Sequence, residues 1–316
     1  MCKMIQFTEV FCFQAVTSIK FFNLGLDVRW LSVVVLLFFT ACAPQKDEPV
    51  SQKEIRRVIA ETPSITEILF DIGAGETLVG TSAFTKYPPE AADIEKIGGL
   101  YDVSYEKILS LEPDLVFCLE ENREMRSKMR SFGIPFRAVN HRSIEGVLNS
   151  YEIIGDCFSQ EIYERALVRK AELSEKLTKL WEQYGKLKPV RVLLCVDRSR
   201  GLNRLENVFI AANNPHYEEV IRLAGGLNAA SGGQLPFISP SAEGIIDLAP
   251  EVIVELYIGN APPENLQNDW KALGDVVPAV KNNRIYVITD DFATVPGPRI
   301  PLFVETLAKI LHGDKE

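Results

Sequence analysis

Histidine is scarce in this chain: three occur among 316 residues, His141, His216 and His312, and no two stand at the spacing of paired metal ligands. The sequence holds no HExxH, no CxxC, no Gly-x-Ser-x-Gly elbow and no phosphate-binding glycine loop. These absences argue against a zinc hydrolase, a thiol oxidoreductase, a serine hydrolase and a nucleotide enzyme, so no catalytic residue, no bare-metal site and no resident cofactor is expected. Basic residues are outnumbered, 34 Lys and Arg against 43 Asp and Glu, for a formal charge of −9. A nucleic-acid or anionic-membrane surface needs clustered cations, and neither is expected here. Long apolar runs are missing too. Leu31 to Ala41 (LSVVVLLFFTA) has eleven residues, short of the roughly 20 that span a bilayer.

What is present is a repeat. Ile108 to Phe117 (ILSLEPDLVF) and Ile245 to Val254 (IIDLAPEVIV) share one order of apolar, acidic and proline positions. In each, helix-spaced apolar residues run into a proline, which cannot continue a helix, and an unbroken apolar run follows, as in a strand buried on both faces of a parallel sheet. Two similar α/β halves are therefore predicted, and the length suits two domains of about 100–200 residues.

The amino terminus reads separately. Arg29, the short apolar run and the small residues Thr40 and Ala41 describe a secretory leader. Thr40-Ala41-Cys42 further resembles a bacterial lipobox, with Phe39 where leucine is usual, so Cys42 is the expected site of acylation and an ordinary signal peptide the alternative. Residues 1–42 form the predicted leader. Residues 43–56, polar and proline-bearing, read as a tether. Cys2 and Cys12 would leave with the leader. Cys118 and Cys195 end apolar strand-like runs and, with Cys157, leave an odd number, so no obligatory disulfide is expected.

Beyond the tether, strand and helix patterns alternate. An amino-terminal α/β lobe is predicted over 57–158, with strands near 57–60, 78–82, 115–118 and 136–139 and helices over 64–73, 104–111 and 121–132. Ser159 to Leu187 has no proline and is rich in Glu, Lys, Leu and Ala, which predicts one long connecting helix within 159–188. A carboxy-terminal lobe follows over 189–316, with strands at 192–196, 208–211, 252–256 and 285–288.

Three segments, TPSITEILFDIGAGETLVG, KYPPEAADIEKIGG and SYEKILSLEPDLVF, resemble the first lobe of the iron-chelate and cobalamin substrate-binding proteins of bacterial ABC importers. YEEVIRLAGGLNAA, FISPSAEGIIDLAPEVIV and PGPRIPLFVETLAKIL resemble the second. The resemblance implies two Rossmann-like lobes with parallel sheets, bridged by a single helix that limits hinge motion, with ligand held between them. It implies a monomeric, non-enzymatic, exported receptor, anchored through Cys42, that hands an iron chelate to a permease and its ATPase subunits. A corrinoid is the second candidate cargo and haem the third. Glu67 and Glu243 are the implied permease-docking carboxylates. A capping box at Ser64 to Glu67 is the rival reading of the first, and Glu106, which the repeat aligns with Glu243, is its rival for the role. Phe84, Leu100, Tyr101, Phe237 and Phe292 are implied cleft walls. Arg198 and Arg200 are the expected partners of an anionic chelate.

Overall fold

The computed structural model describes residues 54–99, 102–201, 204–257, 259 and 266–313. The predicted leader, Cys42, most of the tether, Leu100 and Tyr101 lie outside the described residues. The first lobe runs β1 (Val58–Ala60), α1 (Pro63–Asp71), β2 (Leu78–Thr81), α2 (Tyr105–Ser110), β3 (Leu115–Leu119), α3 (Arg123–Phe132) and β4 (Phe136–Val139). Its four strands form a parallel sheet in the order β2-β1-β3-β4. Next come α4 (Ile144–Gly155), which no sequence pattern above singled out, and the connecting helix α5 (Gln160–Leu180). α5 is shorter than predicted, because the backbone widens into a π-turn over Trp181–Gly185.

The second lobe runs β5 (Val190–Ser199), β6 (Glu206–Ala211), α6 (Pro215–Leu223), β7 (Gly226–Asn228), β8 (Phe237–Ile238), α7 (Ala242–Leu248), β9 (Val252–Leu256), α8 (Pro278–Lys281), β10 (Ile285–Ile288) and α9 (Ile300–His312). Its sheet has the order β10-β9-β5-β6-β8, with β7 beside β5. β10, β9, β5 and β7 are parallel, whereas β6 pairs antiparallel with β5 and β8. The link from β5 to β6 is too short for a crossover and makes a hairpin instead.

Strand periodicity explains the layers. Val58, Ala60, Leu115 and Phe117 face one cluster, and the alternate Ile59, Val116 and Cys118 face another with Met125 and Met129. In the second lobe Val192, Leu194, Val252 and Val254 join the first cluster, while Leu193, Cys195 and Ile253 pack outward against Trp270 and Ile245. The inner faces of both sheets thus share one apolar core, completed by Leu173, Leu177 and Leu180 of α5 and Phe303, Val304 and Leu307 of α9.

The repeat is also structural. Ser104 and Ser241 cap α2 and α7, accepting from the backbone N–H of Lys107 and Gly244. Glu112 and Ala249, each just before the proline, adopt left-handed φ values of 44° and 43°. The acidic residue after each proline holds the start of the neighbouring strand: Asp114 accepts from Arg57 N at 3.0 Å, and Glu251 from Arg191 N at 2.8 Å.

Candidate ligand cleft

Parallel strands in α/β sheets place their ligand crevice beyond their carboxyl ends. The loops leaving β3 and β4 bring Glu121, His141 and Arg142 to such a place, and the start of α6 brings Asn214, His216 and Tyr217, β8 brings Phe237, and the segment after β10 brings Thr294 and Pro296. Together they line a cavity of about 260 Å³ between the lobes. That lies just below the usual ~300–1,000 Å³ of ligand pockets, so a large guest requires the lobes to part. A larger groove of about 1080 Å³ involves α1, α5 and the start of α9, where Asp71, Arg169, Arg299 and Glu305 line it. Leu78, the first residue of β2, borders that groove, which places it away from the crevice.

Aromatic rings form one wall of the cleft. Phe237 stacks on Phe209 with centroids 5.2 Å apart and meets Tyr217 edge-on at 6.2 Å. Phe84, 63% exposed, follows β2, and its ring lies where a Cβ at Gly99 would come within 2.7 Å of Cε2. Phe292 packs against the shared core instead.

Two imidazoles sit on the floor. His141 is buried, with Nδ1 2.7 Å from Ser64 Oγ and Nε2 3.0 Å from Ser150 Oγ. Ser150 already donates its hydroxyl proton to Gly146 O, so it accepts from Nε2–H, and Ser64 donates to Nδ1. His216 is 5% exposed, and neither of its ring nitrogens has a hydrogen-bond partner among the described residues. Burial pushes His216 down to about 4, and burial together with the nearby His216 pushes His141 down to about 3. Both rings are therefore neutral at pH 7. Neither was expected as a cleft residue, although their rarity was a usable signal.

Glu61, at the carboxyl end of β1, accepts from Leu119 N at 2.6 Å and from the Asn122 amide, which fixes the loop carrying Glu121. Burial pushes its carboxyl up to about 7.

The expectation for Arg198 is corrected. Its guanidinium is buried, donating to Glu255 at 2.8 Å, to Asp269 at 2.5 Å and to Leu266 O at 2.8 Å. Trp270 Nε1 donates to the same Glu255 at 3.0 Å. Asp269 and Trp270 belong to a 3-10 segment after β9 that lies beyond what strand periodicity reveals. Arg198 has no face to offer an anion. Arg200, partly exposed, donates to Glu255 at 2.8 Å and Asp197 at 3.1 Å and lies over the Tyr257 ring.

A family model described as a periplasmic binding protein matches residues 58–292. The chain belongs to the periplasmic binding protein family. It is 26% identical over 265 residues to a vitamin B12-binding protein of Vibrio parahaemolyticus, covering 83% of this chain and 90% of that one. It is 27% identical over 270 residues to the ABC transporter substrate-binding lipoprotein YvrC of Bacillus subtilis, covering 83% and 82%. Among solved structures it resembles the vitamin B12 binding protein BtuF of Vibrio cholerae, with a TM-score of 0.70, 24% identity and coverage of 81% and 96%. It also resembles the haem-binding protein RhuT of Roseiflexus sp. RS-1, with a TM-score of 0.68, 25% identity and coverage of 82% and 98%. The two-lobed α/β architecture implied by the sequence is that of these neighbours.

In this periplasmic binding protein the two carboxylates named for docking differ sharply. Glu243, second residue of α7, is fully exposed, and its own backbone N–H and the Ser241 hydroxyl hold its carboxyl below the usual range. Glu67 does not project. It is 3% exposed, and Arg299 holds it with Nη2–Oε1 at 2.5 Å and Nε–Oε2 at 3.0 Å. The reason is the register of α1, which begins at Pro63 and turns Glu67 inward with Ile68 and Leu69. No capping box forms either, because Thr62 holds the cap position and Ser64, inside the helix, bonds His141. Burial pushes the Glu67 carboxyl up to about 7 against the pull of Arg299. Arg299 keeps its charge, and both Glu67 carboxylate oxygens accept charge-assisted bonds from it. Glu106, second residue of α2, is exposed at the position matching Glu243.

Proposed function

We propose that this periplasmic binding protein captures a metal-bearing tetrapyrrole and delivers it to an ABC permease, with a corrinoid ahead of haem. The observation that carries this reading is the cleft lining: Tyr217 and Phe237, the latter backed by Phe209, offer apolar faces to a flat macrocycle, beside two neutral imidazoles. An anionic ferric siderophore, first in the sequence reading, moves behind, because Arg198 is consumed by Glu255 and Asp269. The vitamin B12-binding and haem-binding names of relatives support the same order.

The rest of the proposal concerns delivery. Glu106 and Glu243, on the outer layers of the two lobes, are the contacts to permease cations, and the receptor acts as a monomer. Residues 1–42 are a leader, Cys42 carries lipid, and residues 43–56 hold lobes 57–158 and 189–316, with their connector 159–188, off the membrane. The lipoprotein name of the Bacillus relative supports the anchor. Among the described residues no helix is long and apolar enough to cross a membrane. Cys42→Ser is expected to release the protein from membranes.

Titration of the purified protein with cyanocobalamin, diaquocobinamide, ferric haem and a ferric catecholate, read by quenching of tryptophan fluorescence, tests the cargo. Saturable quenching by a tetrapyrrole and none by the catecholate is expected. The reverse pattern overturns the reading.

A further inference from the structure

His216 and His141 lie side by side on the cleft floor and differ in one respect. His141 has both ring nitrogens bonded to serine hydroxyls. His216 has neither bonded, although each has lost its water and Tyr217 packs edge-on at 5.2 Å. A buried polar atom without a partner destabilises the fold, and such groups in folded proteins call for a reason. The ring borders the cavity between the lobes, on α6 from the second lobe, opposite Glu121 and Arg142 of the first. A neutral imidazole there presents one nitrogen lone pair, the donor that suits cobalt or iron. Among the described residues no group of three or more His, Cys, Asp or Glu is arranged to hold a bare ion. One donor suits a metal that arrives with its equatorial ligands in place.

We propose that His216 is the axial ligand to the metal of a flat tetrapyrrole that enters with an open or water-occupied coordination position. This rests on the tetrapyrrole reading and extends it to a specificity: the site favours diaquocobinamide or ferric haem over cyanocobalamin, whose two axial positions are filled. The step is a ligand exchange. Water leaves the metal as the imidazole nitrogen bonds to it, with no change of oxidation state and no co-reactant. Both nitrogens are covered in this structure, so coordination includes a turn of the side chain toward the cavity. Phe237, stacked on Phe209, flanks the macrocycle.

Absorption titrations of the purified protein with diaquocobinamide, with ferric haem and with cyanocobalamin test this. Wild-type protein is expected to shift the bands of diaquocobinamide or haem to those of an imidazole-ligated metal; which probe shifts identifies the macrocycle. His216→Ala is expected to abolish the shift and weaken that probe at least about tenfold, the scale of loss seen when metal sites are disturbed. Added imidazole restores the shift. His216→Phe, which keeps the bulk, should behave as His216→Ala without the rescue, and thermal melting confirms that both variants fold. Tetrapyrrole quenching of tryptophan fluorescence without a band shift in wild type, or a shift that survives both variants, overturns the axial role and leaves the tetrapyrrole reading standing. Absence of quenching by all three probes overturns both. The wild-type spectra decide independently of how either variant folds.

Discussion

Arg299 clasps Glu67 across the two lobes, joining α1 to the residue that precedes α9. The same guanidinium donates to Asp291 at 2.6 Å and lies 4.3 Å from the Tyr87 ring centroid. A second strap is near, where Ile144 N donates to Glu219 at 2.7 Å. With the shared core beneath, these contacts tie the two lobes together. They also give Glu67 an inward purpose, which removes it from the list of surfaces a partner can reach.

Arg299→Leu is expected to leave the Glu67 carboxylate buried and unpaired and to destabilise the fold by about 3 kcal/mol. Glu67→Leu paired with Arg299→Leu should cost less than the sum of the single changes, with a coupling of about 1–3 kcal/mol. Urea unfolding of the four proteins measures it. Additive losses would mean that the pair does not act as a clasp.

Arg198 leads to a similar test with a different discriminating readout. Arg198→Met removes the cation that neutralises Glu255 and Asp269, side chains 0% and 3% exposed, and should cost about 3–5 kcal/mol. Tetrapyrrole affinity of the folded variant is expected to change less than about threefold. A large affinity loss without a stability loss would return Arg198 to the cleft.

The histidines predict a pH dependence. Their folded pKa values, about 3 for His141 and about 4 for His216, lie below the unfolded value near 6.5. The unfolded chain thus binds more protons between pH 6.5 and those values, and stability falls as pH drops through that window. Glu61 and Glu67, raised by burial to about 7, act in the opposite sense between pH 7 and the ordinary glutamate value of 4.5, so the wild-type curve is flattened there. Comparison with His216→Phe isolates one group. Between pH 7 and pH 5 the variant should be spared about 2 kcal/mol of destabilisation, measured by urea unfolding. Equal pH slopes for the two proteins would mean that His216 is not held neutral.

What the sequence reveals is set by how local each feature is. β3 and β9 were readable to within a residue, because strands buried on both faces write their boundaries as unbroken apolar runs between turns. α4 was equally local, with Ser143 capping it and Ile144, Val147, Tyr151 and Ile154 buried at helical spacing, and it could have been found. The antiparallel turn of β6 depends on the short link from β5. Arg198 illustrates the harder limit: an arginine after a strand has the same sequence whether it meets a ligand or, as here, an aspartate 71 positions away. Glu67 misled because its spacing from Ser64 imitates a cap, while the fold used the serine for His141. The repeat offered a rival, since it aligns Glu106 with Glu243.

That alignment yields the last prediction. Glu106 and Glu243 each stand second in a short helix whose serine cap is satisfied, so neither carboxylate is needed to start its helix. Ile108 and Ile245, two residues on, anchor these helices in the outer clusters of the two lobes, which leaves the acids on the exposed layers. Two separated charges fix orientation as well as attraction when they meet paired cations. Glu106→Ala with Glu243→Ala is expected to leave folding and tetrapyrrole affinity intact while permease binding weakens by about tenfold or more per carboxylate. Stimulation of the permease ATPase in proteoliposomes should fall accordingly, and more steeply at high salt, where the remaining charges are screened. Glu67→Gln in the same assay should alter stability first and stimulation only as far as the folded fraction declines. Full stimulation by the double variant would show that the permease grips these lobes elsewhere.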